Sequence, residues 1–146
     1  MKSEINHIAI IPARKNSKGL KFKNRLLFNY TKKFIKKIKW FDKIIVASDD
    51  EYFASKCKKT NFFYYKRQKK NSKDTSSIKE VMEEIITKFK LNNNTIIWLF
   101  YLTIPDRKIA DYKKLKKITM KNDFLSAMSF IPIKTHPYDC WIIKKK

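Results

Sequence analysis

Arginine is scarce in a chain whose default cation is lysine, and its positions are informative. The four are Arg14, Arg25, Arg67 and Arg107. A guanidinium presents a planar fork that grips carboxylate or phosphate oxygens two at a time, which a lysine ammonium cannot do. Arg14 opens the stretch Arg14-Lys15-Asn16-Ser17-Lys18-Gly19-Leu20-Lys21-Phe22-Lys23-Asn24, which carries the single glycine of the chain, Gly19. Glycine serves where the backbone needs positive φ or must approach a ligand. Free backbone N–H groups beside cationic side chains form a phosphate-binding surface. The spacing is not that of a Walker loop, which needs two glycines and a Gly-Lys-Ser/Thr ending. Nor is it a Gly-x-Gly-x-x-Gly dinucleotide turn.

Other residues suited to chemistry fall in three groups. Ser48-Asp49-Asp50 follows an apolar run, and either aspartate could face a ligand or cap the next helix. Asp74-Thr75-Ser76-Ser77 precedes an amphipathic segment. Ser77 with Glu80 fits a capping box, while a helix N-terminus also favours an anionic ligand. Thr103 and Arg107 bracket Ile104-Pro105-Asp106 after the most apolar run. His136, before Pro137, reads as structural. Cys57 and Cys140 match no metal or redox spacing and are expected to be reduced and structural.

The elements that must position these residues alternate. Ile8 to Ile11 reads as a buried strand that Pro12 ends. Thr31 to Trp40 reads as a helix with Phe34, Ile35 and Ile38 on one face. Ile44 to Ala47 is a second strand, Glu51 to Lys59 a helix, and Phe62 to Tyr65 a third strand. Ile78, Val81, Met82, Ile85, Ile86 and Phe89 stripe the next helix. Thr95 to Tyr101 is expected to be the central strand. Ile109, Tyr112, Leu115 and Ile118 mark another helix face, Phe124 to Ile133 a further strand, and Trp141 opens another. In an open α/β sheet of this kind, ligands bind beyond the carboxyl ends of the strands.

With 146 residues, 43% hydrophobic, the chain reads as one domain, 1–146, with a real core. It holds no run of about 18 apolar residues, so no membrane span is expected. The start leaves no room for a signal peptide, which points to a cytoplasmic protein. The net charge of +22 raises the possibility of nucleic-acid binding. Lysine, however, is spread along the chain, no helix-turn-helix or RNP motif is visible, and abundant Ile, Asn, Phe and Tyr match an A/T-rich coding bias.

Residues 11 to 24, Ile-Pro-Ala-Arg-x-x-Ser-Lys-Gly-Leu-x-x-Lys-Asn, resemble the signature of the CMP-sialic acid synthetases (acylneuraminate cytidylyltransferases). The resemblance implies an α/β, Rossmann-like nucleotide-diphospho-sugar transferase fold, with a mostly parallel sheet between helices. It implies transfer of CMP from CTP to an acidic nonulosonic sugar, with Mg²⁺ as cofactor. By that resemblance Arg14, Lys18 and Lys23 serve the triphosphate, with loop N–H groups around Ala13, Ser17 and Gly19, and Arg14 and Lys23 as catalytic cations. Asn24, Arg67, Asp74, Thr75 and Ser77 would hold the base and ribose, and Thr103 and Arg107 the sugar.

The sequence departs from the family at Lys66-Arg67-Gln68, where an Arg-Pro pair is usual. It departs again at Tyr101 to Arg107, where the family reads Leu-Gln-Pro-Thr-Ser-Pro-Leu-Arg. Tyr101 replaces a glutamine that helps recognise the sugar. The family continues beyond the equivalent of residue 146 with a dimerisation segment and an Asp-x-Asp pair for Mg²⁺. The metal ligands in this chain are therefore not assigned, and the fold is expected to be incomplete at the C-terminus. A homodimer is possible. Two further readings stay open: a truncated or inactive nucleotide-binding member of the family, and a basic nucleic-acid-binding protein.

Overall fold

The computed structural model describes residues 5–15, 20–68, 77–121 and 126–128. Eight elements follow in the order β1 (Asn6–Pro12), α1 (Lys23–Ile35), β2 (Lys43–Ser48), α2 (Glu51–Lys58), β3 (Phe63–Lys66), α3 (Ile78–Lys88), β4 (Thr95–Leu99) and α4 (Ile109–Lys121). The four strands form one sheet in the order β3-β2-β1-β4. Every pairing is parallel. Parallel neighbours require crossovers, and helices supply them. The result is the open α/β sheet of the Rossmann-like type that the alternating pattern leads one to expect.

The register explains the core. Ile10 lies opposite Ile45 of β2 and Leu99 of β4, and Ile8 lies opposite Ile97. Side chains alternate along a strand, so Ile8, Ile10, Ile45 and Ala47 share one face. There they pack with Val81 and Ile85 of α3. Ala9, Ile11 and Val46 point the other way. On that side Phe28 of α1 and Phe53 of α2, both fully buried, meet edge to face with centroids 5.1 Å apart. Such a pair contributes about 0.5–1.5 kcal/mol beyond the area it buries.

The chain divides into two compact units, residues 1–109 and 110–146. The first holds the sheet. Within the second, α4 carries the expected stripe of Tyr112, Leu115 and Ile118, but none of its residues is fully buried.

One expectation needs correction. The first helix does not run from Thr31 to Trp40. It starts at Lys23 and ends at Ile35, with Phe28, Thr31 and Ile35 as its buried stripe. Residues 36–40 turn away, although Ile38 is still buried. Among the described strands β4 stands at one end of the sheet, and of its residues only Trp98 is buried, whereas β1 is buried from His7 to Ile11. Residues 126–128 belong to no regular element; the rest of the strand expected over Phe124 to Ile133, and that from Trp141, lie outside the described residues.

Candidate functional site at the carboxyl ends of the strands

Because all strands run the same way, their carboxyl ends share one edge. Four sequence groups arrive there: Ala13-Arg14-Lys15 after β1, Asp49-Asp50 after β2, Arg67 after β3, and the segment from Phe100 to Arg107 after β4.

The exit of β1 is fixed by backbone bonds. The Ala13 N–H donates to the Ala47 carbonyl (2.9 Å), and the Ser48 hydroxyl donates to the Ala13 carbonyl. Ala13 is wholly buried, so its contribution is to launch Arg14 from a defined point. The Lys15 N–H then donates to Asp49 Oδ1 (2.7 Å). At the far side of the loop, Asn24 Nδ2 donates to the Arg14 carbonyl (2.8 Å). Both ends of the loop are thus tied at its base, while Ser17, Lys18 and Gly19 lie outside the described residues. Lys23, half-buried, is the first residue of α1. The residue before it, Phe22, adopts left-handed backbone angles (φ 57°) and offers no capping side chain. For a non-glycine residue that conformation costs about 1–2 kcal/mol.

At the end of β2 the two aspartates take different jobs. Asp50, 3% exposed, caps α2 by accepting the Tyr52 N–H (3.1 Å). It also accepts both arms of Arg25, from Nε at 2.7 Å and from Nη2 at 2.8 Å. The Arg25 guanidinium lies over the Phe22 ring at 4.2 Å and the Tyr52 ring at 5.0 Å. Burial pushes the Asp50 carboxyl up, but the Arg25 fork, the Tyr52 N–H and nearby Lys15 outweigh it and hold the group below the usual range. Asp49 is left over from capping and faces the β1 loop.

Arg67 is 8% exposed, and its N–H donates to the Ser48 carbonyl (3.0 Å). The Tyr64 hydroxyl donates to the same carbonyl (3.0 Å). Burial lowers the Arg67 pKa, Asp49 raises it, Arg14 lowers it and Glu84 raises it, for a net fall. The Arg67 guanidinium therefore feels the charges of both Asp49 and Arg14. Two guanidiniums and one carboxylate at the same edge of the sheet make a setting in which an additional anion is stabilising. Next to it, Lys66 is neutralised by Glu51 (2.8 Å) in an exposed pair.

The segment after β4 behaves otherwise. Arg107 Nη1 donates to the Thr31 hydroxyl of α1 (3.0 Å), and Nη2 donates to the Tyr101 carbonyl. Its guanidinium also lies over Phe34 (5.9 Å) and Phe100 (5.5 Å). Arg107 thus ties its own loop to α1. Thr103 is exposed. Ser77 caps α3 in the expected reciprocal box with Glu80, its hydroxyl accepting the Glu80 N–H (3.2 Å). Asp74 and Thr75 lie outside the described residues.

The structure therefore brings Ala13, Arg14, Asn24 and Arg67 to one edge together with Asp49 and Asp50, and adds Arg25, which the sequence motifs had not pointed to. The signal for Arg25 was present: it is one of only four arginines and stands next to Asn24. Among the described residues no group of three or more His, Cys, Asp or Glu side chains could hold a metal ion. Asp50 is engaged by Arg25 and Tyr52, and Asp49 by Lys15, and no metal ligand is assigned among the described residues. Among the described residues, no helix is long and apolar enough to cross a membrane.

Comparison with known proteins agrees with this geometry. The family model described as cytidylyltransferase matches residues 8–135. No curated protein matches the sequence.

Proposed function

The chain belongs to the cytidylyltransferase family, and we propose that it binds CTP at the carboxyl edge of its sheet and passes CMP to an acidic nonulosonic sugar. Family and fold together define an α/β Rossmann-like nucleotidyltransferase. The acidic sugar rests on the resemblance of residues 11 to 24 to the CMP-sialic acid synthetases. The observation that carries the nucleotide reading is the Arg14–Asp49–Arg67 grouping beside a loop tied at both ends.

In the reaction a sugar hydroxyl oxygen attacks the α-phosphorus of CTP, the bond to the pyrophosphate oxygen breaks, and pyrophosphate leaves. The protein positions reactants and stabilises charge that grows on phosphate oxygens. Arg14, with Lys18 and Lys23 by resemblance, meets the triphosphate. Arg67, Asn24, Asp74, Thr75 and Ser77 attend the nucleoside, and Thr103 and Arg107 the sugar side. Magnesium is part of the proposal, as is a cytoplasmic setting.

The test is pyrophosphate release with CTP or ATP and a panel of nonulosonic acids, with and without a chelator. CTP-dependent release with one acidic sugar, abolished by chelation, is the expected outcome. Binding of CTP without release would keep the nucleotide site and remove the transfer. Binding to nucleic acid that falls steeply with salt, with no preference for CTP, would favour the basic-protein reading instead.

A further inference from the structure

We propose that Asp49 is a positioning residue of the nucleotide site: its carboxylate holds the Lys15 N–H and so fixes where the loop carries Arg14. This rests on the CTP reading above. Three observations support it. The Asp49 Oδ1 to Lys15 N distance is 2.7 Å, a short bond of the charge-assisted kind, spanning 34 residues of sequence. Helix capping, the usual task of an aspartate after a strand, is already done by Asp50, whose carboxylate takes the Tyr52 N–H and the Arg25 fork. Finally, Asp49 acts electrostatically on Arg67, on which Arg14 also acts. One carboxylate therefore links the loop after β1 to the cation after β3 from its place after β2.

The physical consequence is one of pre-organisation. The Ala13 bonds fix the strand exit, but Arg14 and Lys15 have already left the ladder. Without the Asp49 strut the backbone at Lys15 would sample several directions. Arg14 would then be held on the Asn24 side but less restrained on the Lys15 side, and binding would bear the cost of ordering it. Charge alone predicts another result. If the carboxylate served only to neutralise Arg67 and Arg14, removing it would leave more positive charge for the triphosphate and CTP would bind more tightly.

Asp49→Asn and Asp49→Ala separate the two, because the asparagine oxygen still accepts the Lys15 N–H while the charge is gone. The readouts are CTP affinity by calorimetry and exchange of the Lys15 amide by NMR, both on the full chain. Asp49→Ala should weaken CTP about tenfold, equivalent to about 1.4 kcal/mol, and speed Lys15 exchange by a similar factor. Asp49→Asn should recover both to within about threefold, as expected for a retained hydrogen bond. Tighter binding in both variants, or unaltered binding in Asp49→Ala, overturns the proposal. So does an asparagine variant as weak as the alanine one. If the unsubstituted chain binds no CTP, the nucleotide reading fails. Lys15 exchange then decides the strut by itself: faster in Asp49→Ala upholds it, unchanged overturns it.

Discussion

The two ends of the sheet use one device in two ways. At the amino end, Asp42 Oδ2 accepts the His7 N–H (2.6 Å), and the Asp42 N–H donates to the His7 carbonyl (2.9 Å). At the carboxyl end, Asp49 accepts the Lys15 N–H. In both places an aspartate beside β2 ties down the backbone of β1 or its extension. What differs is the surroundings. His7 is buried, and the Trp98 indole N–H donates to its Nδ1 (3.1 Å), which places the ring proton of neutral His7 on Nε2. Trp98 packs in turn against Trp40 and Phe41 at centroid distances of 6.4 and 6.0 Å. The His7 backbone and ring are thus held by Asp42 and Trp98 beside aromatic packing. At the carboxyl end the aspartates stand among Arg14, Lys15, Arg25 and Arg67, and the cations outnumber them. A cavity of about 220 Å³ does open at the amino end, lined by residues including Asn6, Asp42, Lys43, Phe89 and Thr95. It lacks the arginine grouping that an anionic ligand needs. At one end a single carboxylate meets backbone beside aromatic rings; at the other, among the described residues, two carboxylates stand with four cations.

The largest expected effect falls on the residue that belongs to the carboxyl end but serves the fold. Asp50→Ala removes the α2 cap, a loss of about 1 kcal/mol, and a bidentate partner of Arg25, a further 1.5–3 kcal/mol or so. Urea unfolding should show a loss of about 2–4 kcal/mol. The pH dependence follows from the sign of the shift. The folded Asp50 carboxyl lies below its ordinary value, so its stabilisation is present above the unfolded pKa, about 3.9. It is lost as pH falls through the lower folded value. Asp50→Asn should therefore flatten the stability profile below about pH 4. A profile as steep as that of the unsubstituted chain would show that Asp50 is not held by its cationic and N–H partners.

A paired experiment tests the division between the two ends directly. Arg14→Ala should weaken CTP binding by about 1.5–3 kcal/mol, the range for a charged hydrogen bond, and leave the thermal midpoint nearly unchanged. Trp98→Phe should do the reverse. It keeps most of the ring packing but strips His7 Nδ1 of its buried donor, which costs about 1–3 kcal/mol, while CTP affinity stays the same. Calorimetry and thermal melts on both variants would break the comparison if Trp98→Phe impaired CTP binding or Arg14→Ala unfolded the chain.

How much of this was legible in the sequence depends on what each feature writes into side-chain type. The four described strands were legible to within a residue or two, because β-branched and aromatic runs bounded by polar turns favour paired, extended backbone. The α3 cap was legible because Ser77 and Glu80 carry it in their own side chains. The start of α1 was not. No Ser, Thr, Asp or Asn stands before Lys23; the N-cap is Phe22, held by backbone angles alone, and backbone angles leave no residue-type signal here. Asp50 was legible as one of two caps, but the choice between Asp49 and Asp50 depends on which carboxylate Arg25 and Lys15 reach. That is decided by tertiary packing. Arg107 carries a second task that its residue type does not announce: it bonds the Thr31 hydroxyl and the Tyr101 carbonyl and so ties its loop to α1.

The smallest expected effect concerns Phe22, where three terms nearly cancel. Its left-handed conformation, φ 57°, costs about 1–2 kcal/mol that glycine would not bear. Glycine would in turn lose more freedom on folding, about 0.5–1 kcal/mol. It would also lose the ring that lies 4.2 Å from the Arg25 guanidinium, and a cation–π contact of this kind contributes about 0.5–1 kcal/mol at a partly exposed site. The sum is close to zero, so Phe22→Gly should leave the unfolding free energy within about 1 kcal/mol of its starting value. Phe22→Leu keeps the strain and removes only the ring stack. It should be the less stable of the two, because leucine tolerates φ above zero no better than phenylalanine does. The ranking of the two variants is the measurement that matters. Leucine above glycine would mean that chain entropy had been weighed too lightly against backbone strain. It would also mean that the carboxyl edge holds Phe22 in place by packing rather than in spite of it.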